Sequence, residues 1–329
     1  MDNQNNIEEP KKKKGPLFFR WLTRDGKGVD KDDTIKIDDY NAKNFFKLFG
    51  RRIKYIININ WLYIFGNFPL LTLLLAISGN FSHAATAPQS QFYPVVYGIQ
   101  TITGTTPSLM NMIGVHGVMG TATAYSWIDY VLFGISALLL VTFGLVNTGC
   151  AYLMKNLVRG EHLFLWDDFK SAIKQNIKQG LAIGIFDTVV LGLSVYSIYF
   201  YIVNYQTYYI LFFASLIMMM LYLFMRFYMY TMLVTFELSV WKIIKNSFLF
   251  AMIGLGKNFM ALLCVLLVIG VTFMLSTLFM PIGIIILFMF LISTTSYITT
   301  YFTYPKIKQV MIDPYYSSDN PEDEAEPVE

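Results

Sequence analysis

Charged residues are scarce in this sequence, and their scarcity excludes an ordinary soluble domain. Only 14% of the 329 residues are Asp, Glu, Lys or Arg, whereas 55% are hydrophobic and 17% are aromatic. Charged residues make up about a quarter of a typical soluble domain. The charges are also clustered, which leaves apolar stretches of about 20 residues or more, enough for a helix to cross about 30 Å of hydrocarbon. The composition therefore predicts helices that span a bilayer.

Residues that form reactive or metal-binding sites are also few. The two cysteines, Cys150 and Cys264, both fall in apolar stretches, so neither a disulfide framework nor a zinc cluster is predicted. The three histidines, His83, His116 and His162, are too far apart for an H-E-x-x-H site. Neither a G-x-S-x-G nor a Walker sequence occurs. The sequence thus predicts no metal site, no cofactor and no enzymatic activity.

Six apolar stretches predict an all-α, polytopic membrane bundle of about six transmembrane helices in three hairpins. The predicted spans are residues 55–78, 127–154, 180–203, 208–236, 258–280 and 282–304. Only residues 204–207 join the third and fourth spans, which requires an antiparallel hairpin. Pro69 should kink the first span, because its ring removes a backbone donor. Residues 40–308 would form the membrane domain, with residues 79–126 as an insert.

The distribution of lysine and arginine predicts the topology. All 25 of these residues except Arg226 lie before the first span, after the last span, or in the connectors 155–179 and 237–257. Short loops rich in lysine and arginine stay in the cytoplasm. An even number of spans with both termini in the cytoplasm satisfies this rule in every segment. The insert 79–126, which has no lysine or arginine, is then outside the cell.

The segments that flank the membrane domain are polar. Residues 1–39 and 309–329 have too few apolar residues to form a core, so they are predicted to be disordered cytoplasmic tails, the first basic and the second acidic. Residues 40–54 mix aromatic and basic side chains, as in a helix that lies on anionic lipid headgroups. The basic residues flank apolar segments and do not build a folded basic face, so no nucleic acid partner is predicted.

The two cytoplasmic connectors predict amphipathic helices that dock a partner. In the first, Trp166, Phe169 and Ile173 recur at helical spacing, opposite a row of lysines. In the second, Trp241 and Ile244 begin a similar face. Apolar helix faces of this kind bind in grooves of partner proteins. These five residues are therefore predicted to be docking residues.

Asp187 and Arg226 are the charged residues within the predicted third and fourth spans. The hairpin places them at similar depth, so we expect them to form an ion pair. A charge in hydrocarbon usually faces a partner or a water-filled cavity and marks a functional site by default. The pair could lock the hairpin, or Arg226 could extend to the interface, or the pair could serve transport or gating. A transporter or channel would also need a polar path, for which the sequence offers Asn60, Asn67, Asn147, Thr148 and Asp187.

Several segments carry a resemblance to a known family. A basic helix leads into a span that contains Asn60 and Trp61 and ends at Pro69. The segment TFGLVNTGCAY, residues 142–152, leads into LVRGE at 157–161. The connector then reads FLWDDF at 164–169 and IKQNIKQ at 173–179, and FELS at 236–239 is a weaker match. These features resemble the YesL-like family of bacterial integral membrane proteins, a family without an assigned biochemical function.

The resemblance covers roughly residues 45–308, and the insert 79–126 looks additional to the shortest members. It implies a multi-pass protein of the bacterial cytoplasmic membrane, with an accessory or regulatory role in carbohydrate uptake or utilisation. Components of a sugar ABC transporter are the implied partners. The family contributes no catalytic residues. A small transporter or channel is the alternative function.

Overall fold

The computed structural model describes residues 39–88 and 119–314, and side chains are described for 39–82 and 125–314. The predicted basic tail 1–39 lies outside this part except for its last residue, and the acidic tail lies outside it from residue 315 onwards. Most of the insert 79–126 also lies outside. The chain divides into two compact units, one of residues 67–142 and one that contains the remaining residues.

Helices dominate the structure, with one short strand pair. The elements, in chain order, are α1 (Ala42–Arg51), α2 (Ile53–Gly66), α3 (Phe68–Ile77), β1 (His83–Pro88), β2 (Met119–Ala124), α4 (Trp127–Ser136), α5 (Leu139–Val158), α6 (Leu165–Gln175), α7 (Ile177–Val203), α8 (Tyr205–Leu233), α9 (Val240–Ile253), α10 (Leu255–Leu278), α11 (Met280–Ile286), a π-helical segment (Leu287–Leu291), α12 (Ile292–Ile307) and a second π-helical segment (Lys308–Ile312). The predicted all-α class is confirmed.

Within residues 39–88 and 119–314, four stretches are single helices long and apolar enough to cross a membrane: α7, α8, α10 and the continuous run Met280–Ile312. Two further candidates are consecutive pairs bent at a short break, α2 with α3 and α4 with α5. The count is six if each bent pair is one span. This agrees with the predicted polytopic bundle. The last helical run continues to Ile312, beyond the predicted end at 304, so residues 309–312 are helical and do not belong to the tail.

The smaller unit contains α3, the strand pair and α4. The break in the first predicted span lies at Asn67, and Pro69 occupies the first turn of the new helix α3. A proline is tolerated there, because the first N–H groups of a helix have no intrahelical acceptor. The kink predicted at Pro69 is thus a helix start. Strands β1 and β2 pair antiparallel from His83 with Ala124 to Pro88 with Met119, a ladder that the apolar pattern did not predict.

The larger unit is built around α5. Its residues Cys150, Leu153, Met154 and Leu157 are fully buried. Helices α5 and α7 cross at a pair of glycines, where a Cβ on Gly144 would lie 2.5 Å from the Cα of Gly184. Small residues at such a crossing allow two membrane helices to approach closely. The crossing therefore depends on both positions having no side chain.

Helix α1 has an apolar face on the protein and a basic face away from it. Leu48 is buried, whereas Lys43, Lys47 and Arg51 are exposed. Two tyrosines of α12 hold the helix, because Tyr297 Oη donates to the Phe45 carbonyl at 2.9 Å and Tyr301 Oη donates to the Asn41 carbonyl at 2.8 Å.

Candidate functional site

The carboxylate of Asp187 is the centre of a buried polar cluster. Asp187 is fully buried on α7. Three side chains of α8 donate to it: Tyr222 Oη to Oδ1 at 2.6 Å, Tyr230 Oη to Oδ2 at 2.8 Å, and Arg226 Nε to both oxygens at 3.0 and 2.9 Å. The donors are four residues apart and share one helix face. The structure thus brings together the Asp187 and Arg226 pair of the predicted site.

Arg226 uses only its Nε in that pair. Its guanidinium lies 5.5 Å from the ring of Phe143 and 5.6 Å from that of Tyr230. The Arg226 side chain is 27% exposed, whereas that of Asp187 is 0% exposed. The Asp187 carboxylate, which is hydrogen-bonded at both oxygens, therefore fixes α7 to α8. The two Nη groups of Arg226 do not take part in these bonds.

Two further buried cations, Arg52 and Lys155, bind the ends of helices. From the sequence they were interpreted only as topology signals. Arg52 is 4% exposed and donates from Nη2 to the Gly160 carbonyl at 2.9 Å and from Nη1 to the Glu161 carbonyl. Lys155 is 6% exposed and donates from Nζ to the Val234 carbonyl at 2.9 Å. Positive charge is favourable at these C-terminal carbonyls of α5 and α8.

The loop that Arg52 binds is a helix C-cap built on a glycine. Gly160 has φ 76°, and its N–H donates to the Leu157 carbonyl while the Glu161 N–H donates to the Asn156 carbonyl. These two bonds form a Schellman motif, which requires a left-handed residue and so favours glycine. The sequence Leu-Val-Arg-Gly-Glu could have predicted this cap. The contact with Arg52, which is more than a hundred residues away in the chain, could not have been predicted.

The predicted docking face of the first connector helix packs in part against α5. Phe169 is 8% exposed, and its ring would lie 2.5 Å from a Cβ placed on Gly149. Ile173 packs at the same place, 3.2 Å from that Cβ. Trp166 stacks on Phe169 with ring centroids 6.1 Å apart. The Phe169 ring thus fills a space that Gly149 of α5 leaves, whereas Trp166 and Ile173 are only partly buried. That the three residues dock a partner stays a prediction.

The second connector helix is rotated relative to its predicted face. Ile243, Ser247 and Phe250 are buried against α8, and Ile244 is partly buried against the same cluster. Trp241 is 73% exposed. Trp241 is thus exposed, whereas Ile244 packs partly against the protein itself. That these two residues dock a partner stays a prediction.

Three residues of the predicted polar path, Asn60, Asn147 and Thr148, form hydrogen bonds within the larger unit. Asn147 Nδ2 donates to the Phe143 carbonyl and Thr148 Oγ1 to the Gly144 carbonyl, both at 2.7 Å and both within α5. Asn60 is fully buried and binds the π-helical segment that begins at Leu287. Asn67 belongs to the smaller unit. Asn60, Asn147 and Thr148 thus donate to backbone carbonyls, and that they form a polar path stays a prediction.

An open groove of about 990 Å³ lies between the α6–α7 junction and the loop that joins α8 to α9. Its lining residues are Lys174, Gln175, Asn176, Ile177, Lys178, Gln179, Leu233, Val234, Thr235, Phe236, Glu237, Leu238 and Ser239. The volume is at the upper end of the range of ligand sites. We call this site the basic-side groove, because it lies among the lysine-rich connectors. Nothing in the sequence indicated this groove, since it forms only where two connectors meet.

The charged side chains of the basic-side groove have no ionic partner within residues 39–82 and 125–314. The ion pairs in that part of the chain are Arg159 with Glu161 and Arg226 with Asp187. Lys174, Lys178 and Glu237 are all exposed. The same residues contain no group of three His, Cys, Asp or Glu side chains that could hold a metal ion. The groove therefore offers two lysines and a half-apolar wall to a ligand.

Comparison with protein families, with curated proteins and with solved structures gives no match for this chain.

Proposed function

We propose that this protein is an accessory or regulatory membrane protein that binds a partner in the basic-side groove. The groove carries the proposal, because it is a concave surface with lysines that have no ionic partner in the described chain. Three buried charged side chains outside the groove form hydrogen bonds within the protein. Asp187 accepts from three side chains, and Arg52 and Lys155 bind backbone carbonyls.

The chemistry of the groove favours an acidic peptide segment with apolar side chains. Phe236 and Leu238 of the α8–α9 loop supply apolar surface, and Lys174 and Lys178 of the α6–α7 junction supply positive charge. Charge-assisted hydrogen bonds from lysine to carboxylate are stronger than bonds between neutral groups. Trp241, two residues after the last lining residue Ser239, adds an exposed aromatic side chain beside the groove. Exposed tryptophans of this kind are often anchors in interfaces.

The side of the membrane and the partner class come from the sequence. The lysine distribution supports a cytoplasmic position for the groove and for both termini. The YesL-like resemblance supports a bacterial cytoplasmic membrane and a component of a sugar ABC transporter as partner. The protein would thus act on carbohydrate uptake or utilisation without chemistry of its own.

A photo-crosslinking residue in the groove tests this proposal in native membranes. We would place it at Gln175, and at Tyr199 near the far end of α7 as the control position, because both side chains are exposed. Crosslinked proteins are then identified by mass spectrometry. Transporter subunits should be captured from Gln175 and not from Tyr199.

Charge reversal makes the test specific. Lys174→Glu with Lys178→Glu should abolish capture from Gln175, whereas Lys242→Glu with Lys245→Glu should not, because these two exposed lysines of α9 do not line the groove. Capture of the same proteins from both positions, or capture that ignores groove charge, rules out the groove as the binding site.

Arg226 favours a second candidate function, a small transporter or channel. Its Nη groups make no hydrogen bond within the described residues, although the side chain lies within a candidate span. Donors in hydrocarbon favour a polar ligand or water. Uptake of labelled sugars into proteoliposomes by the purified protein, lost in Arg226→Lys with unchanged helicity, would favour this function. Absence of uptake above that of empty vesicles would leave the accessory function.

A further inference from the structure

We infer that the basic-side groove is occupied by the acidic C-terminal segment of the same chain, residues 315–329, and that a partner must displace this segment. Three observations support the occupancy: the charge of the segment, the place where the described chain ends and the length of the segment. The displacement by a partner rests on the proposed function.

The charges of the segment and the groove are complementary. Residues 315–329 contain no lysine or arginine, and their acidic residues are Asp319, Glu322, Asp323, Glu324, Glu326 and Glu329. The groove presents Lys174 and Lys178, with Glu237 as its acidic lining residue. Lys170, one turn before Lys174 on α6, is exposed on the same connector. Exposed charges attract one another over only about 8 Å at physiological salt, so the attraction requires contact.

The described chain ends at the apolar cluster against which part of the groove wall packs. The last helical run ends at Ile312, and the described residues stop at Pro314. Met311 and Ile312 pack against the same apolar cluster as Val234, Phe236 and Leu238, which line the groove. The acidic segment therefore begins at the apolar cluster that also supports part of the groove wall.

The connection between the described chain and the acidic run gives that run a wide reach. Glu322 is eight residues beyond Pro314. Eight extended residues reach at most about 26–29 Å. A segment attached to its site has an effective concentration of the order of mM, which favours it over a free ligand of equal affinity. The covalent connection therefore makes the chain's own segment a stronger competitor for the groove than a second copy.

Cysteine crosslinking in the purified full-length protein tests the occupancy. Ala325→Cys lies within the acidic run and removes no charge, and it is paired with Gln175→Cys in the groove. Cys264 is replaced by serine, whereas Cys150 is fully buried and is left in place. A short bismaleimide should link 175 to 325 within one copy, and mass spectrometry identifies the linked peptides. Pairing Ala325→Cys with Tyr199→Cys is the control for random encounter.

The dependence of the crosslink yield on salt and on the charge of the groove decides the result. Linkage should fall on addition of salt and be lost in Lys174→Glu with Lys178→Glu, but not in Lys242→Glu with Lys245→Glu. Linkage no greater than at Tyr199, or linkage only between two copies, overturns the inference. Loss of the crosslink when the protein is placed in vesicles of anionic lipid also overturns the inference. That result would show that lipid headgroups bind in the groove.

A second measurement separates this inference from the proposed function. The crosslink requires no partner, so it stands even if no partner is captured from native membranes. Neutralising the tail with Glu322→Gln, Asp323→Asn, Glu324→Gln and Glu326→Gln should increase partner capture from Gln175. Unchanged or lower capture overturns the displacement by a partner.

Discussion

The side-chain oxygen of Asn60 accepts a hydrogen bond from the backbone N–H of Ser293 at 2.9 Å. The Nδ2 of the same side chain donates to the Phe288 carbonyl at 2.7 Å and to the Leu287 carbonyl at 3.1 Å. These groups belong to the π-helical segment and the first turns of α12, where the regular α-helical bonding is interrupted. In hydrocarbon no water replaces a missing backbone hydrogen bond. Asn60 thus satisfies an irregular turn of another helix.

Replacement of Asn60 by leucine should therefore destabilise the bundle. Each buried group left without a partner costs about 1–3 kcal/mol of unfolding free energy. Thermal unfolding in mild detergent measures the loss. Asn204→Leu is the control, because Asn204 is a polar residue of the α7–α8 turn whose side chain bonds only to the Phe200 carbonyl. Equal stability of the two variants would contradict a structural role for the Asn60 contacts.

Asp187 and Arg226 should show strong energetic coupling. Asp187→Asn leaves Arg226 beside a neutral amide, and breaking a buried pair costs about 3–5 kcal/mol. Arg226→Gln leaves the carboxylate with only the two tyrosine donors. The double variant should be less destabilised than the sum of the single variants, with a coupling of about 0.5–3 kcal/mol. Reversible unfolding of all four proteins in mixed micelles provides the cycle, and strict additivity would show that the pair contributes no interaction energy.

The ion pair and the Asn60 contact show what the sequence could and could not predict. Charges stand out in apolar spans, and the short loop 204–207 fixes the register of α7 and α8, so Asp187 and Arg226 could be paired from sequence. The π-helical segment has the ordinary apolar sequence Leu-Phe-Met-Phe-Leu, so nothing indicated that its carbonyls would require Asn60.

Helical periodicity also predicted the connector helices but not which face is covered. The apolar face of α6 contains Phe169, yet only the position of Gly149 on another helix turns that face inward. In α9 apolar residues surround much of the helix, so contact with α8 determines that Ile243 and Phe250 are buried while Trp241 is exposed. The groove between these connectors depends on both placements and so was not predictable.

The crossing of α5 and α7 should not tolerate a methyl group at Gly144. An added Cβ would lie 2.1 Å from the Gly180 carbonyl oxygen and 2.5 Å from the Gly184 Cα, and backbone atoms cannot rotate away. Overpacking of this kind costs about 1–3 kcal/mol. Gly192→Ala on α7 is the matched control, since nothing lies within 4 Å of its added Cβ. Detergent unfolding should separate the two variants; a stable Gly144→Ala would show that the helices can move apart freely.

Arg52 should resist even conservative replacement. Its two Nη groups bind the carbonyls of Gly160 and Glu161, and a lysine has a single ammonium that does not reproduce this planar fork. Arg52→Lys should weaken the attachment of the loop after α5. Trypsin cleavage after Arg159, whose side chain is 43% exposed, should then become faster in the folded protein. Arg51→Lys is the control, because Arg51 is the exposed neighbour on the same helix turn. If the two variants were cleaved at the same rate, Arg52 would not be what holds this loop.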